Sequence, residues 1–576
     1  MSTTRRRQPR LVDLPREIWQ YIALEVVAAV LAEQDSHRSL PFPDSLLPNL
    51  EGSTRLGRSD SIGMNPAPLW DEGLSPMDCT CSDGWLSGQT QHCYSDPDYP
   101  PHRNSSILAL LAICRELREP LIGFQALWAQ IALMFPQFLP DSLIWAGNNP
   151  NHPLRLETLH GLCSCVLPMI VTRAHRATHI RLAIPLKRSY GTHPSDQIFN
   201  LLRDGPNRGR LLHAEFRYDP YYAGISEIAF TRFAPRRLPG LLSFTGVNNP
   251  EIGFSDVLTK LELASLTEDM TFPVDFVSSV LRKCHLLEHL VLQMVLDDPS
   301  DTIVNTRPIR LMHLKFFLLC DTWEYWDYIK VRLACPAYTS IHPDIVIDDP
   351  FWLNNGYRGF ARAVTRECFG SRLIPCDVVI LDCHRGSPPS GVLEYIRFTF
   401  AQTEAAAWAE RDPSNLAARL SLTFRFQSIA IQKRYPPNVS SWRNFELNAD
   451  HERIISDVLL GISEGAVTYT GLEELESTHT FIQKGDGGSR HLDTCGDLAN
   501  LFPNLQSIVL HGVTNPSYPA VCNLVAELAR PAATWGALER VRLPDWAWSD
   551  VMWGEYNARI QEQDPDRPGG VIEWST

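Results

Sequence analysis

The first pattern along the chain is a four-residue periodicity. Leu14, Ile18, Ile22, Val26 and Val30 fall at helical spacing and form one apolar face. Asp13 stands where a side chain caps the first amides, and Pro15 falls early enough to forfeit no hydrogen bond. The spacing predicts a helix within 11–33. A second helical pattern lies within 104–135. Ile107, Leu110, Leu111 and Cys114 follow the capping candidates Asn104 and Ser105, and a further apolar run from Pro120 to Leu133 contains Leu127 and Trp128. Short amphipathic helices are not stable alone in water, so these must pack on each other or on a partner.

The texture changes between residues 34 and 103. Pro, Ser, Gly and Asp dominate, helical periodicity disappears, and turn signals follow one another. Such a composition buries too little apolar surface to offset its chain entropy, so this insertion is expected to be disordered. It holds Cys79, Cys81, His92, Cys93 and His102, residue types that ligate zinc. The Cys-x-Cys spacer is tighter than structural zinc sites use, and the adjacent His-Cys pair hinders simultaneous ligation. The expectation is a reduced loop, with no metal and no cofactor.

Beyond residue 150 the period switches. Leu258, Leu261 and Leu263 fit L-x-x-L-x-L, the strand portion of a leucine-rich repeat, and the template recurs at Leu287, Leu290 and Leu292 and at Leu311, Leu314 and Phe316. Between the first two copies, the stretch from Val274 to Leu281 has helical spacing, giving a unit of strand, loop and helix. Ala177, Ile180 and Leu182 form a weaker early copy. Leu505, Ile508 and Leu510, then Leu538, Val541 and Leu543, form two late ones, with a helix expected from Pro519 to Ala529. The fold class expected is α/β, with a repeat region over 150–345 and degenerate copies plus a C-terminal cap over 346–576. Val378–Leu381, Leu420–Phe424 and Leu472–Leu475 are candidate degenerate copies, which the pattern does not phase.

Composition narrows the function. A chain of 576 residues with 44% hydrophobic content has material for more than one core. Its formal net charge of −14 opposes binding to phosphate backbones, so nucleic acid is not an expected partner. No apolar run approaches the length that crosses a bilayer, so no membrane association is expected. The basic start from Arg5 to Arg10 is followed by acids rather than an apolar run, and reads as a solvated tail. The 14 cysteines are scattered, as suits reduced thiols of the cytoplasm or nucleus.

The N-terminal pattern resembles an F-box, a three-helix module that binds the Skp linker subunit of SCF (Skp, cullin, F-box) ubiquitin ligases. The matching positions are Leu14, Pro15, Glu17, Ile18 and Ile22, then Leu110, Cys114, Arg115, Leu117, Arg118, Leu127 and Trp128. The insertion over 34–103 is a departure, because these helices are nearly contiguous in most members. With the leucine-rich region behind it, the chain is similar to fungal F-box proteins carrying irregular leucine-rich repeats. The resemblance implies a three-helix F-box-like module followed by an irregular leucine-rich-repeat solenoid. It further implies a non-catalytic adaptor that binds a Skp-type subunit, through it a cullin, and an unknown target protein. Leu14, Pro15, Glu17, Ile18, Ile22, Leu110, Cys114, Leu117, Leu127 and Trp128 would carry Skp binding.

Two aromatic clusters are candidates for target binding, Trp323, Tyr325 and Trp326, then Trp546 and Trp548. Rigid aromatics anchor interfaces, and they equally pack cores and caps. The enzyme-like signal is Gly461-x-Ser463-x-Gly465, the pattern of a nucleophile elbow, with a strand expected from Ile454 to Leu460 and Asp486, then His491 or His511, in the chain order Ser, Asp, His. Ala466–Gly471 is a poor helix opening for such an elbow, and no oxyanion loop precedes it. His179, His289 and His313 sit inside strand templates, where structural roles are expected. A repeat-built scaffold without any link to ubiquitin is the alternative reading, and a serine hydrolase using Ser463 is the remote one.

Overall fold

The fold is mixed α/β and rich in parallel strands. The computed structural model describes a helical stretch between residues 18 and 27, most of 115–346, and then 357–369, 378–385, 393–401, 418–425, 480–484, 506–511, 540–543 and 572–574, with single helical positions at 458, 461 and 558. The insertion over 34–103, the helix expected at Pro519–Ala529, and the template at Leu472–Leu475 lie outside the described residues. The chain divides into two compact units, Met1–Leu287 with Asp297–Val304, and Glu288–Leu296 with Asn305–Thr576.

In the first unit, the apolar run from Pro120 to Leu133 forms parts of two helices rather than one. Helix α1 spans Arg115–Ile122 and α2 spans Gln125–Ile131, with α3 at Leu139–Trp145. The break falls at Gly123 and Phe124, where the Phe124 amide turns back to the Leu121 carbonyl at 3.0 Å. The Trp128 indole N–H donates to the same carbonyl at 2.8 Å. The buried C-terminal end of α1 is thereby satisfied by a buried side chain of α2. Strands β1 (Leu154–Gly161), β2 (Ala177–Pro185), β3 (His213–Asp219), β4 (Ser243–Val247) and β5 (Lys260–Ala264) then pair side by side in parallel. Helix α4 (Leu167–Arg173) connects β1 to β2, and α5 (Val274–Leu281) follows β5 at the expected position.

A repeated hydrogen-bond scheme shows why leucine spacing selects these strands. Leu241, Leu258 and Leu287 each donate the backbone amide to the residue three before, Leu238, Ser255 and Cys284, at 3.0, 3.4 and 3.1 Å. The strand starts two residues after the turn in the first two cases, at Ser243 and Lys260. The Leu212 carbonyl accepts from Leu242 and Ser243, and the Leu242 carbonyl accepts from Thr259 and Lys260. Thus the first leucine of each template closes a turn, and the next two apolar positions point into the core. Leu261 and Leu263 are 0% and 1% exposed; burying each contributes about 2 kcal/mol.

The second unit repeats the scheme. Strand β6 (His289–Gln293) pairs with β7 (Phe316–Thr322), and β7 with β8 (Ser340–Val346), all parallel. Leu314 donates to Leu311 at 3.1 Å, so Leu314 is the turn-closing leucine, and Phe317 and Leu319 are the inward positions. The third template therefore sits three residues later than its leucines suggest, because Leu311 belongs to the turn. Asn248 in the first unit and Met294 in the second stand just past a strand with φ of 50° and 53°, each donating its amide to a carbonyl of the next strand, Ala264 and Cys320. Helix α6 (Trp323–Arg332) runs between β7 and β8.

Beyond helix α7 (Tyr357–Phe369), sequence order and spatial order part. Strands β9 (Val378–Arg385), β10 (Leu393–Ala401) and β11 (Ala418–Arg425) form an antiparallel meander, and its last strand returns to pair in parallel with β8. On the other side β9 pairs in parallel with β12 (Thr480–Lys484), followed by β13 (Ser507–His511), β14 (Arg540–Leu543) and β15 (Ile572–Trp574). This inversion is why the region resists phasing as repeats.

Candidate functional site

The helical stretch at residues 18–27 has two distinct faces. Ala23 and Val27 are 3% and 2% exposed, whereas Ile18, Tyr21 and Leu24 are 45%, 63% and 36% exposed, with Ile22 half-buried between the faces. At 100° per residue, the exposed trio forms one stripe. The anticipated stripe is thus split, with Ile18 turned outward and Ile22 half-buried, and the small residues Ala23 and Val27 are the buried ones. The Tyr21 hydroxyl bonds to the Glu25 carboxylate one turn on, and that bond together with the carboxylate's charge raises the phenol's pKa.

Leu14, Pro15, Glu17, Leu110 and Cys114 lie outside the described residues, and Leu117 belongs to α1. Leu127 and Trp128 do not join the exposed stripe. They are 2% and 1% exposed, and Trp128 packs its ring against Trp145 at 4.4 Å while its N–H serves Leu121. Side chains so enclosed act by holding α1, α2 and α3 together rather than by touching a partner.

The aromatic cluster of α6 divides similarly. Trp326 is buried and stacks on Phe317 at 5.6 Å, whereas Trp323, half-buried, meets Phe360 edge-on at 6.2 Å and Tyr325 is half-buried. Trp326 is therefore a core residue, because its ring covers the inward side of β7. Trp546 and Trp548 lie outside the described residues.

On the first unit's sheet, the face opposite the leucines carries rows of charge. Arg155, His179, His213, Ser243 and Lys260 are in register across β1 to β5, and Arg181, Glu215, Thr245 and Glu262 occupy the next row across β2 to β5. Arg155 pairs with Glu157 at 2.9 Å and Lys260 with Glu262 at 3.0 Å, while Arg181 and Arg217 share Glu215. The His179 and His213 rings stack at 4.5 Å. Thr245 and Glu262 are buried and bonded to each other at 2.9 Å, whereas the other side chains of the two rows are half-buried.

In the second unit, the corresponding polar residues Asp344, Thr423 and Arg397 are closed in. Asp344, Thr423, Arg397, Asp382, Lys484 and His511 form one row across β8, β11, β10, β9, β12 and β13. Arg425 grips Asp344 with two bonds of 3.1 and 2.7 Å, at side-chain exposures of 2% and 5%. Arg397 donates to Thr423 at 3.2 Å, and both guanidiniums lie over the Tyr395 ring. His342 meets the Ser421 hydroxyl at 2.7 Å. Burial, followed by the Arg397 charge and then His289, pushes His342 down to about 3. An imidazole with so little proton affinity cannot serve as a general base near neutral pH, so this Ser–His contact is structural.

The elbow-like motif has a packing explanation at its first glycine. Residues 458 and 461 are helical and buried, where a strand was expected from Ile454 to Leu460. A Cβ on Gly461 would lie 2.2 Å from the Arg358 carbonyl oxygen and 2.8 Å from the Ala361 Cβ, so glycine permits the close approach to α7. A nucleophile elbow follows a strand, and this glycine lies on a helix. Ser463, Asp486 and His491 lie outside the described residues. Among the described residues, no three His, Cys, Asp or Glu side chains converge on a metal position, and no helix is long and apolar enough to cross a membrane. Burial pushes the Cys284 thiol up to about 12, which keeps it protonated and unreactive.

No protein-family model matches the sequence, and no curated protein matches it.

Proposed function

We propose that the chain is the substrate-recognition adaptor of an SCF-type ubiquitin ligase. Its N-terminal helices bind a Skp-type linker subunit, through which a cullin joins, and its strand-rich region holds a target protein in an irregular leucine-rich-repeat arrangement. The protein has no catalytic step of its own in this reading. It raises the effective concentration of target lysines near a charged conjugating enzyme. The observation that carries the reading is the outward stripe of Ile18, Tyr21 and Leu24, backed by buried Ala23 and Val27. A large apolar stripe facing water on a short helix fits a protein partner.

The test is capture by purified Skp-type subunit. Wild-type chain should be retained, and Pro15→Ala combined with Ile18→Ala should lose at least about 1.4 kcal/mol, a tenfold loss of affinity. Wild type held no better than the double variant overturns the reading. The second reading, an interaction scaffold unconnected to ubiquitin, is favoured by the enclosure of Leu127 and Trp128, two positions of the resemblance that serve packing. The same capture experiment separates the two.

A further inference from the structure

We propose that the two turns leading into β7 and β8 form a docking surface for a partner-protein segment in which apolar residues stand beside carboxylates. Two stretches of the second unit meet there. Ile309–Arg310 pairs in parallel with Leu333–Ala334, and the Leu311 amide donates to the Ala334 carbonyl at 2.9 Å. The Thr339 hydroxyl donates to the Leu314 carbonyl at 2.8 Å. Residues 309–314 therefore run beside residues 333–339. Met312, Val331 and Tyr338 are 57%, 74% and 58% exposed, and among the described residues they are the exposed large hydrophobic residues of the second unit. Exposed apolar side chains scattered singly are ordinary, whereas their concentration in one repeat marks a contact surface.

Charge selects the flank of that segment. Residues 308–315 and 328–340 contain Arg310, Lys315, Lys330 and Arg332 and no aspartate or glutamate, in a chain of formal net charge −14. Lys315 is held by Glu288 at 2.7 Å, and Lys330 is engaged as well. The two guanidiniums meet no carboxylate among the described residues. Arg310 is exposed and in register with Ala334. Arg332 lies over the Tyr328 ring at 3.6 Å and donates to the Tyr328 carbonyl at 2.8 Å, contacts that fix the side chain without neutralising it. The acids of α6, Asp327 and Glu324, stand five and eight residues before Arg332, about 7.5 and 12 Å up the helix axis. A guanidinium presents a planar fork that matches a carboxylate, and a side chain already fixed loses less freedom on binding. An anionic bilayer would extend past this patch and meet the chain's overall negative charge, whereas a short segment meets only the patch. The surface stands whether or not the N-terminal helix binds a linker subunit.

The test is selection by the full-length protein from a displayed library of random peptides about a dozen residues long, followed by fluorescence anisotropy of the selected peptides. They should carry Asp or Glu beside large apolar residues, and should bind at least about tenfold more weakly when those acids become amides. Binding should weaken as salt rises. Arg310→Glu should cost at least about tenfold, as should Met312→Ser with Tyr338→Ser. Arg310→Gln should cost less, and it guards against an effect of charge reversal on folding. Arg237→Glu, at an exposed residue of the first unit paired with Asp256, should bind as wild type does. Selected peptides without acids, or equal binding by wild type and the Arg310→Glu variant, overturn the proposal. So does co-sedimentation with mixed phosphatidylserine and phosphatidylcholine vesicles that Arg310→Glu abolishes, which would make the surface a membrane one. Capture of these variants by the Skp-type subunit should remain at the wild-type level, which separates failure here from failure of the adaptor reading.

Discussion

The two units place polar residues on the same side of similar strands and treat them differently. In the first, each ion pair keeps at least one member partly in water, as Lys260 does at 41% beside a Glu262 of 5%, and Arg155 at 19% beside a Glu157 of 10%. In the second, Arg425 and Asp344 are enclosed, and Arg397, Thr423 and Tyr395 complete the network. A pair that still reaches water contributes less, because water competes for its ions. An enclosed pair has lost its water, so each member depends on the other. The difference lies in the Arg425–Asp344 pair, both of whose members are enclosed, and which fixes how the β9–β11 meander seats against β8.

The comparison can be broken by substitution. Asp344→Ala leaves the Arg425 guanidinium buried beside an empty position and should lower the unfolding free energy of the second unit by about 3–5 kcal/mol, read from its calorimetric transition. Glu157→Ala in the first unit should lower stability by less than about 1 kcal/mol. Equal effects would erase the distinction drawn between the faces. Gly461→Ala should come next, at roughly 1–3 kcal/mol, since its methyl group must displace the Arg358 carbonyl of α7.

The pH response of the second unit sharpens the same point. His342 is held neutral in the fold, its pKa pushed from 6.5 down to about 3. The unfolded chain therefore binds a proton first as pH falls. This contribution to stability is intact above pH 6.5 and is lost progressively toward about pH 3, with a slope of up to about 1.4 kcal/mol per pH unit. His342→Gln, which can still bond Ser421, should remove that slope and move acid unfolding to lower pH. An unchanged acid limb would contradict the enclosure of this row. The smallest effect expected is at Arg237→Gln, whose pair with Asp256 is exposed on both sides, below about 0.5 kcal/mol and within the scatter of ordinary surface substitutions.

What was legible in the sequence follows from which side chains fill the inward positions. Strands with leucine at those positions, such as β5 and β6, stand where their spacing put them. Strand β3 was hidden because Ala214 and Phe216 take the inward places, and β4 because Gly246 replaces the last leucine. Pro343 within β8 hid that strand, since proline ordinarily speaks against a paired central strand. The meander was not legible as a repeat because β11 reaches β8 before β9 does in space. At the N-terminal stripe, periodicity located the helix but not its orientation. Ala23 and Val27 occupy the buried side, and small side chains give a weak apolar signal. The enclosure of Trp128 depends on Leu121 and Trp145, contacts that spacing alone does not encode.

The adaptor reading rests on the outward stripe of the N-terminal helix, and hydrogen exchange tests it most directly. On addition of purified Skp-type subunit, the amides at 20–25 should exchange more slowly, while those of β4 to β8 keep their rates. Unchanged exchange at 20–25, at a subunit concentration well above micromolar, would contradict the account.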